Sequence, residues 1–289
     1  MRKLAIAVCY YYAEKEYLHN EACIPIQVGY NETHIEMGIQ KDNEGDNRGN
    51  RHPYYSELSG LYWLWKNIDA EYKGLFHHRR ALTLKKESLC CKLYVLYRWL
   101  KCAVLIFFKS KGFFVVNEVW LSEAEYKKSV QDFLSIIKKK YLGEYEMLVP
   151  VPSMIWPQSN QQFFSVVVEN YIFQLIGMIL EEHWPEYYKF WCQTLVSRKL
   201  YHANMSIMRN SFFESYAVFI FSVLDMLEKK LIDGKYYISL SEEMAMSRKF
   251  GYIGELLTNT FILYQREKGI KIKELYITVN KNSEHWKHQ

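Results

Sequence analysis

Residues 3–10, KLAIAVCY, hold an apolar run in which no polar side chain interrupts Leu4 to Val8. A strand with one wet face alternates polar and apolar residues, so a short unbroken run describes a strand covered on both faces. That is the first strand of an α/β sheet, with helices packed above and below it. The chain has 289 residues, 49% of them hydrophobic, which suffices for one large core. Without internal repeats, low-complexity tracts or a linker rich in Pro, Gly or Ser, residues 1–289 read as a single domain.

A second short strand is expected at Ile24 to Val28. From Gln40 to His52 the sequence QKDNEGDNRGNRH has no apolar side chain and reads as a loop. After Pro53, residues Tyr54, Leu58, Leu61, Tyr62 and Trp65 recur at helical spacing and predict an amphipathic helix over 54–67. YKGLF at 72–76 predicts a strand that runs into His77-His78-Arg79-Arg80. The order of strand, loop, helix, strand and charged cluster is that of an open α/β sheet whose ligands gather at the carboxyl ends of its strands.

Further along, Ser122 and Glu125 make a capping box and Lys138-Lys139-Lys140 suits a helix C-terminus, so 122–141 is predicted helical. Met147–Val151 is a strand candidate, and helix follows to about Ser197 with a break at Pro185. A brief strand at 204–208, helices at 211–231 and 247–266 and a last strand at 275–279 complete the pattern. The stretch 87–121 is strongly apolar, yet its longest unbroken run is seven residues, well short of the ~20 that a spanning helix needs. Its Tyr, Trp and Phe residues alternate with Lys92, Arg98, Lys101, Lys109 and Lys111. It reads as a membrane-facing helical insert in the headgroup layer or as a pair of core helices.

Charge narrows the partners. Lys and Arg number 37 against 32 acidic residues, a net charge of +5, too mild for a nucleic-acid-binding surface but suited to small anions or an anionic membrane face. The six cysteines show neither a C-x-x-C pair nor ligand-like spacing with His, so reduced thiols in a cytosol are expected. The apolar N-terminal run is too short for a signal peptide.

Four clusters could carry chemistry. His77-His78-Arg79-Arg80 could grip a diphosphate through its guanidinium forks, or cap the sheet with solvated charge. Asp46 and Asn47, in the loop before the helix at 54, could read sugar or ribose hydroxyls, or belong to a plain surface loop. Glu57 borders an aromatic stripe and could be desolvated enough to act as a base, or sit on the wet flank. In RKFGYIGE, Arg248 could neutralise phosphate and Glu255 could act as a base, or the two could form a simple ion pair. No G-x-G-x-x-G, P-loop, G-x-S-x-G or H-E-x-x-H pattern occurs.

The blocks GDN at 45–47, PYYSELSGLYWLWKN at 53–67 and YKGLFHHRR at 72–80 resemble the signature of a capsular-polysaccharide glycosyltransferase family, domain-of-unknown-function family 4422. That signature reads GDN, then N-x-x-YCELTALYWAWKN, then YIGL-x-HYRR. IPIQVG at 24–29, YHANMSIM at 201–208 and RKFGYIGELL at 248–257 resemble its later blocks, so the likeness spans nearly the whole chain outside 89–116. His78, Ser56, Arg48 and Leu256 stand where the family usually has Tyr, Cys, Ile and Arg.

The resemblance implies a GT-A-like open mixed sheet flanked by helices, with additional helices in the second half. It also implies transfer of a sugar from a nucleotide-diphosphate donor, UDP-linked and of galactose or galactofuranose type, to a lipid-linked saccharide. Such an enzyme would work in the cytoplasm, peripherally on the inner face of the membrane, in capsule, exopolysaccharide or O-antigen synthesis. Asp46, Asn47, His77, Arg79, Arg80 and Arg248 become donor-binding candidates and Glu57 and Glu255 catalytic ones. Tyr55, Trp65 and Asn204, inside the matching blocks, become acceptor- or sugar-binding candidates. The nucleotide-sugar donor is the substrate, no cofactor is fixed by the resemblance, and a divalent metal, Mn or Mg, is a possible one although no D-x-D motif is seen. The competing expectation is a non-catalytic, membrane-peripheral carbohydrate-binding or scaffold protein.

Overall fold

The computed structural model describes residues 1–85, 113–115, 118–234 and 248–281. Most of the 87–121 segment therefore lies outside the described residues. Where it is described it is strand, at Phe113–Val115 and Glu118–Leu121, and not helix.

The main sheet is mixed. Strand β1 (Arg2–Tyr10) pairs in parallel with β2 (Cys23–Gln27), which pairs in parallel with the short β3 (Gln40–Lys41). Helix α1 (Tyr30–Thr33) lies between β2 and β3 in the chain; α2 (His52–Tyr55) and α3 (Leu58–Asn67) come next. On its other side β1 pairs in parallel with β4 (Ala70–His77), and β4 turns back into the antiparallel β5 (Arg80–Thr83). The cluster His77-His78-Arg79-Arg80 is thus the turn of a hairpin, with His77 facing Arg80 across it.

After β6 (Phe113–Val115) and β7 (Glu118–Leu121), α4 (Glu123–Lys140) starts at the predicted capping box, made by Ser122 and Glu125. Next come β8 (Met147–Pro150), β9 (Ser153–Trp156), α5 (Asn160–Phe164), α6 (Asn170–His183) and α7 (Pro185–Val196), the last opening with Pro185 in its first turn, as a Pro break demands. β10 (Lys199–Leu200) and β6 flank β9 in a small antiparallel sheet. β11 (Ser206–Arg209), α8 (Asn210–Asp233), α9 (Lys249–Glu267) and β12 (Ile272–Asn280) follow. β12 lies beside β8, β5 and β7, while β11 bridges β8 and β4 antiparallel.

Two cores explain the opening apolar run. Ala5, Ala7 and Cys9 point into one, shared with α3 and α6 to α9, while Leu4, Ile6, Val8 and Tyr10 point into the other, covered by α4. Both faces of β1 are dry, so neither can tolerate a polar residue.

The predicted helix at 54–67 is broken. Ser56 takes φ 49 and ψ −128, ending α2 and letting α3 restart at Leu58. The break presses this wall against α9, whose two glycines make the contact: a Cβ on Gly254 would lie 2.7 Å from Leu58 Cδ1, and one on Gly251 would lie 3.3 Å from Ser56 Cβ.

Candidate active site

At the carboxyl ends of β1, β2 and β4 a cleft of ≈ 360 Å³ opens between Tyr11, Tyr12 and His52 on one side and the hairpin residues His77 to Arg80 on the other. Glu32, Glu57 and Arg248 also line it. A second lobe of ≈ 260 Å³ is walled by Phe163, Phe164, His202, Tyr252 and Glu255. Ser56, Glu57, His77, Arg80 and Arg248 line both, so the two lobes meet at these five residues.

The junction is assembled by one turn, Ala203-Asn204, where both residues adopt left-handed backbone with φ of 68 and 51. His77 Nε2 lies 2.7 Å from the Ala203 carbonyl, and since a carbonyl only accepts, Nε2 carries the proton. Burial pushes the His77 pKa down, against the pull of Glu57, which favours a neutral ring with a lone pair on Nδ1. The Ala203 amide bonds the Glu255 carboxyl. The Asn204 amide donates to Glu57 Oε1 at 2.8 Å and to the Gly251 carbonyl at 3.2 Å. Its oxygen accepts from the Thr258 hydroxyl at 3.0 Å, and Tyr216 OH stands 2.8 Å from Thr258 Oγ1.

Four of the five non-glycine residues with positive φ among those described, Ser56, Ala203, Asn204 and Arg248, belong to this junction. Each such residue costs on the order of 1–3 kcal/mol and persists only where its surroundings enforce it, which they often do at functional sites. Arg248 is fixed by its amide, which donates to the Pro53 carbonyl at 2.6 Å and ties the start of α9 to the start of α2.

The electrostatics are divided. Burial pushes the Glu255 pKa up to about 8, reinforced by the neighbouring negative charge of Glu57 and opposed by the Ala203 amide, Arg80 and Arg248. Burial and the adjacent charge of Arg80 pull the Arg79 guanidinium below its ordinary value, against the help of Glu118. Arg80 donates from Nε to Glu118 Oε1 at 2.8 Å. Three guanidinium groups therefore line the first lobe, two of them reaching the second as well, and a proton-holding carboxyl stands in the second alone.

Of the residues singled out from sequence, Glu57, His77, Arg79, Arg80, Arg248 and Glu255 line the two lobes, and Asn204 stands directly behind Glu57. Asp46, Asn47, Tyr55 and Trp65 are not among the lining residues. Asp46 accepts from Tyr62 OH and bonds Asn67 through its backbone, and Asn47 closes its own turn onto Asn43, Gly45 and Gly49. Tyr55 is fully buried and reaches Arg48 at 3.2 Å, with Arg48 in turn paired to Asp225 on α8. Trp65 stacks on Phe221 at 5.8 Å and donates to Glu214. Asn47 shapes the loop and Asp46 ties it to α3, while Tyr55 and Trp65 brace α2 and α3 against α8.

Sequence reasoning missed Tyr11, Tyr12 and His52. Tyr11 and His52 stack at 5.1 Å with 11° between their planes, and Tyr12 is 47% exposed. The signal was available, since aromatic residues directly after a buried strand sit where open α/β sheets bind ligands. His202, Phe163 and Tyr252 gave no such signal, because their approach depends on tertiary packing.

Among the described residues no group of three or more His, Cys, Asp or Glu side chains is placed to hold a metal ion. At the end of β4 stand imidazoles and guanidinium groups, with the carboxyl groups of Glu57 and Glu255 lining the same junction. Among the described residues no helix is long and apolar enough to cross a membrane.

A mixed sheet flanked by helices, with a cationic cleft at its strand ends, makes this an α/β fold. The chain belongs to the family described as domain of unknown function DUF4422, whose model matches residues 5–267. In structure it is similar to the apo form of the WbbM bifunctional glycosyltransferase, with a TM-score of 0.73 at 24% identity, over 97% of this chain and 46% of that one. The chain thus spans about half the length of that protein, and at this identity the likeness is one of fold. No curated protein is a significant sequence match.

Proposed function

We propose that this chain is a glycosyltransferase that moves a sugar from a nucleoside-diphosphate donor to a saccharide hydroxyl. The observation that carries the reading is the junction of the two lobes, where Arg80, Arg248 and Glu57 line both, Arg79 lines the first and Glu255 the second.

The first lobe takes the donor. Its nucleobase lies along the Tyr11–His52 stack, and its diphosphate meets Arg79, Arg80 and Arg248, whose forked N–H groups suit phosphoryl oxygens. The second lobe takes the acceptor, whose ring can lie on Phe163 and Tyr252. In the reaction an acceptor oxygen bonds the anomeric carbon as that carbon's bond to the diphosphate breaks, and the electron pair leaves on the phosphoryl oxygen. The guanidinium groups stabilise this growing negative charge. Glu255 receives the proton of the attacking hydroxyl; a carboxylate with a raised pKa is a stronger base near neutral pH than an ordinary one. Glu57, at the junction, faces the oxocarbenium-like sugar with its carboxylate.

The donor is UDP-linked, with galactose or galactofuranose favoured by the family resemblance, and the acceptor is a lipid-linked saccharide met at the inner membrane surface, for capsule, exopolysaccharide or O-antigen assembly. Calorimetry with UDP, ADP and GDP, followed by UDP-release assays with UDP-sugars and saccharide acceptors, tests the reading. Binding of UDP with acceptor-dependent release supports it. A chain that binds no nucleoside diphosphate would instead be a carbohydrate-binding or scaffold protein.

A further inference from the structure

Behind Arg80 lies a buried relay that the proposed chemistry does not use. Glu118, on β7, has a side chain only 6% exposed and accepts the Arg80 Nε hydrogen at 2.8 Å. On its other side stands His202, 7% exposed, with Nε2 3.8 Å from Glu118 Oε1. His202 Nδ1 in turn lies 2.8 Å from the hydroxyl of Ser153, which is fully buried on β9. Burial alone would raise the Glu118 pKa, but His202 and Arg80 hold it below the ordinary carboxylate range. Burial pushes the His202 pKa down, which Glu118 opposes. A neutral ring that accepts the Ser153 O–H on Nδ1 carries its proton on Nε2, turned toward Glu118.

Three contacts therefore lead from Ser153 to Arg80, hydrogen bonds at the two ends and a 3.8 Å approach between His202 and Glu118 in the middle, joining β9, the turn before β11, β7 and β5. It grips Arg80 by Nε alone. A guanidinium is a planar fork, so fixing the Nε edge fixes the plane and the direction of the two Nη groups, which Glu118 does not engage. Arg80 lines both lobes, so its plane sets where a leaving diphosphate oxygen meets its hydrogen-bond donors. Small misplacements of such a donor cost rate far more than binding.

We infer that Glu118, backed by His202 and Ser153, is a positioning residue that aims the Arg80 guanidinium at the leaving group; this rests on the glycosyltransferase reading given above. Glu118→Gln keeps the side chain's shape but removes its charge. It is expected to lower kcat at least tenfold while donor KM changes less than threefold. In an Arg80→Gln background the same substitution is expected to change kcat less than twofold, because it acts only through Arg80. Should Glu118→Gln fail to fold, Ser153→Ala, which deletes one hydroxyl, is the second variant, with a kcat loss of about threefold expected at unchanged KM. Equal effects of Glu118→Gln with and without Arg80, or parallel losses in kcat and donor affinity, would overturn the inference. Full activity in either folded single variant would do the same. The underlying reading fails separately, if the wild-type chain neither binds nor turns over any nucleoside-diphosphate sugar.

Discussion

The side-chain amide of Asn204 lies 2.8 Å from Glu57 Oε1, joining two residues 147 positions apart in the chain. The contact is cross-braced, because the same amide holds the Gly251 carbonyl and its oxygen takes the Thr258 hydroxyl. Asn204→Ala would remove one hydrogen bond from each of these three partners, leaving Thr258 its contact with Tyr216. We expect a stability loss of about 1–3 kcal/mol in denaturant unfolding and a fall in kcat that exceeds any change in acceptor KM. A variant with wild-type kcat would show that Glu57 needs no such support.

Glu255 makes folding depend on pH. Its folded pKa of about 8 lies above the ordinary value of 4.5, so the native state holds the proton more tightly than the unfolded chain does. The contribution is fully present below about pH 4.5, fades as pH climbs toward 8, and then stays level. Glu255→Gln removes this slope. Melting temperatures of wild type and variant, compared from pH 5 to 9, should diverge in favour of the variant as pH rises. Parallel curves would contradict the assignment.

The base role proposed for the same group predicts a pH–rate profile. With Glu255 as the base, kcat/KM should rise with pH and level off above about 8. Glu57→Gln deletes a charge that raises the Glu255 pKa, so the midpoint should move to lower pH. A midpoint that stays in place in this variant would separate the two carboxylates.

The arginines answer to charge. Arg79→Ala, Arg80→Ala and Arg248→Ala should each lower transfer by about 10²-fold or more, as loss of a transition-state hydrogen-bond donor does. Calorimetry should also show weaker UDP binding. If Arg79→Ala and Arg80→Ala both leave transfer and donor hydrolysis untouched, the diphosphate does not lie there.

Membrane contact has its own assay. Replacing Arg98, Lys101, Lys109 and Lys111 by Gln should reduce co-sedimentation with anionic liposomes while leaving UDP binding intact. Unchanged pelleting would remove the headgroup expectation for that segment.

What could be read from sequence followed from local chemistry. Ser122 with Glu125 specified a helix start, Pro185 a helix break, and the run from Leu4 to Val8 a strand dry on both faces; each signal acts over a few residues. The Arg79-Arg80 cluster showed its charge but not its geometry, since nothing local separates the end of a strand from the turn of a hairpin. The break at Ser56 was hidden because hydrophobic spacing runs straight through it, and only packing against Gly251 shows why the helix yields. Glu118 and His202 were invisible for a related reason. They are 84 positions apart, His202 within the YHANMSIM block but given no role there, and gain meaning only where β7 and the turn before β11 converge on Arg80.

Strand β12, residues 272–280, lies inside the main sheet, hydrogen-bonded to β8, β5 and β7. During synthesis the earlier strands must wait with open edges until these nine residues leave the ribosome. A nascent or prematurely terminated chain would therefore carry its arginine turn on an unsealed hairpin, prone to self-association and without a finished cleft.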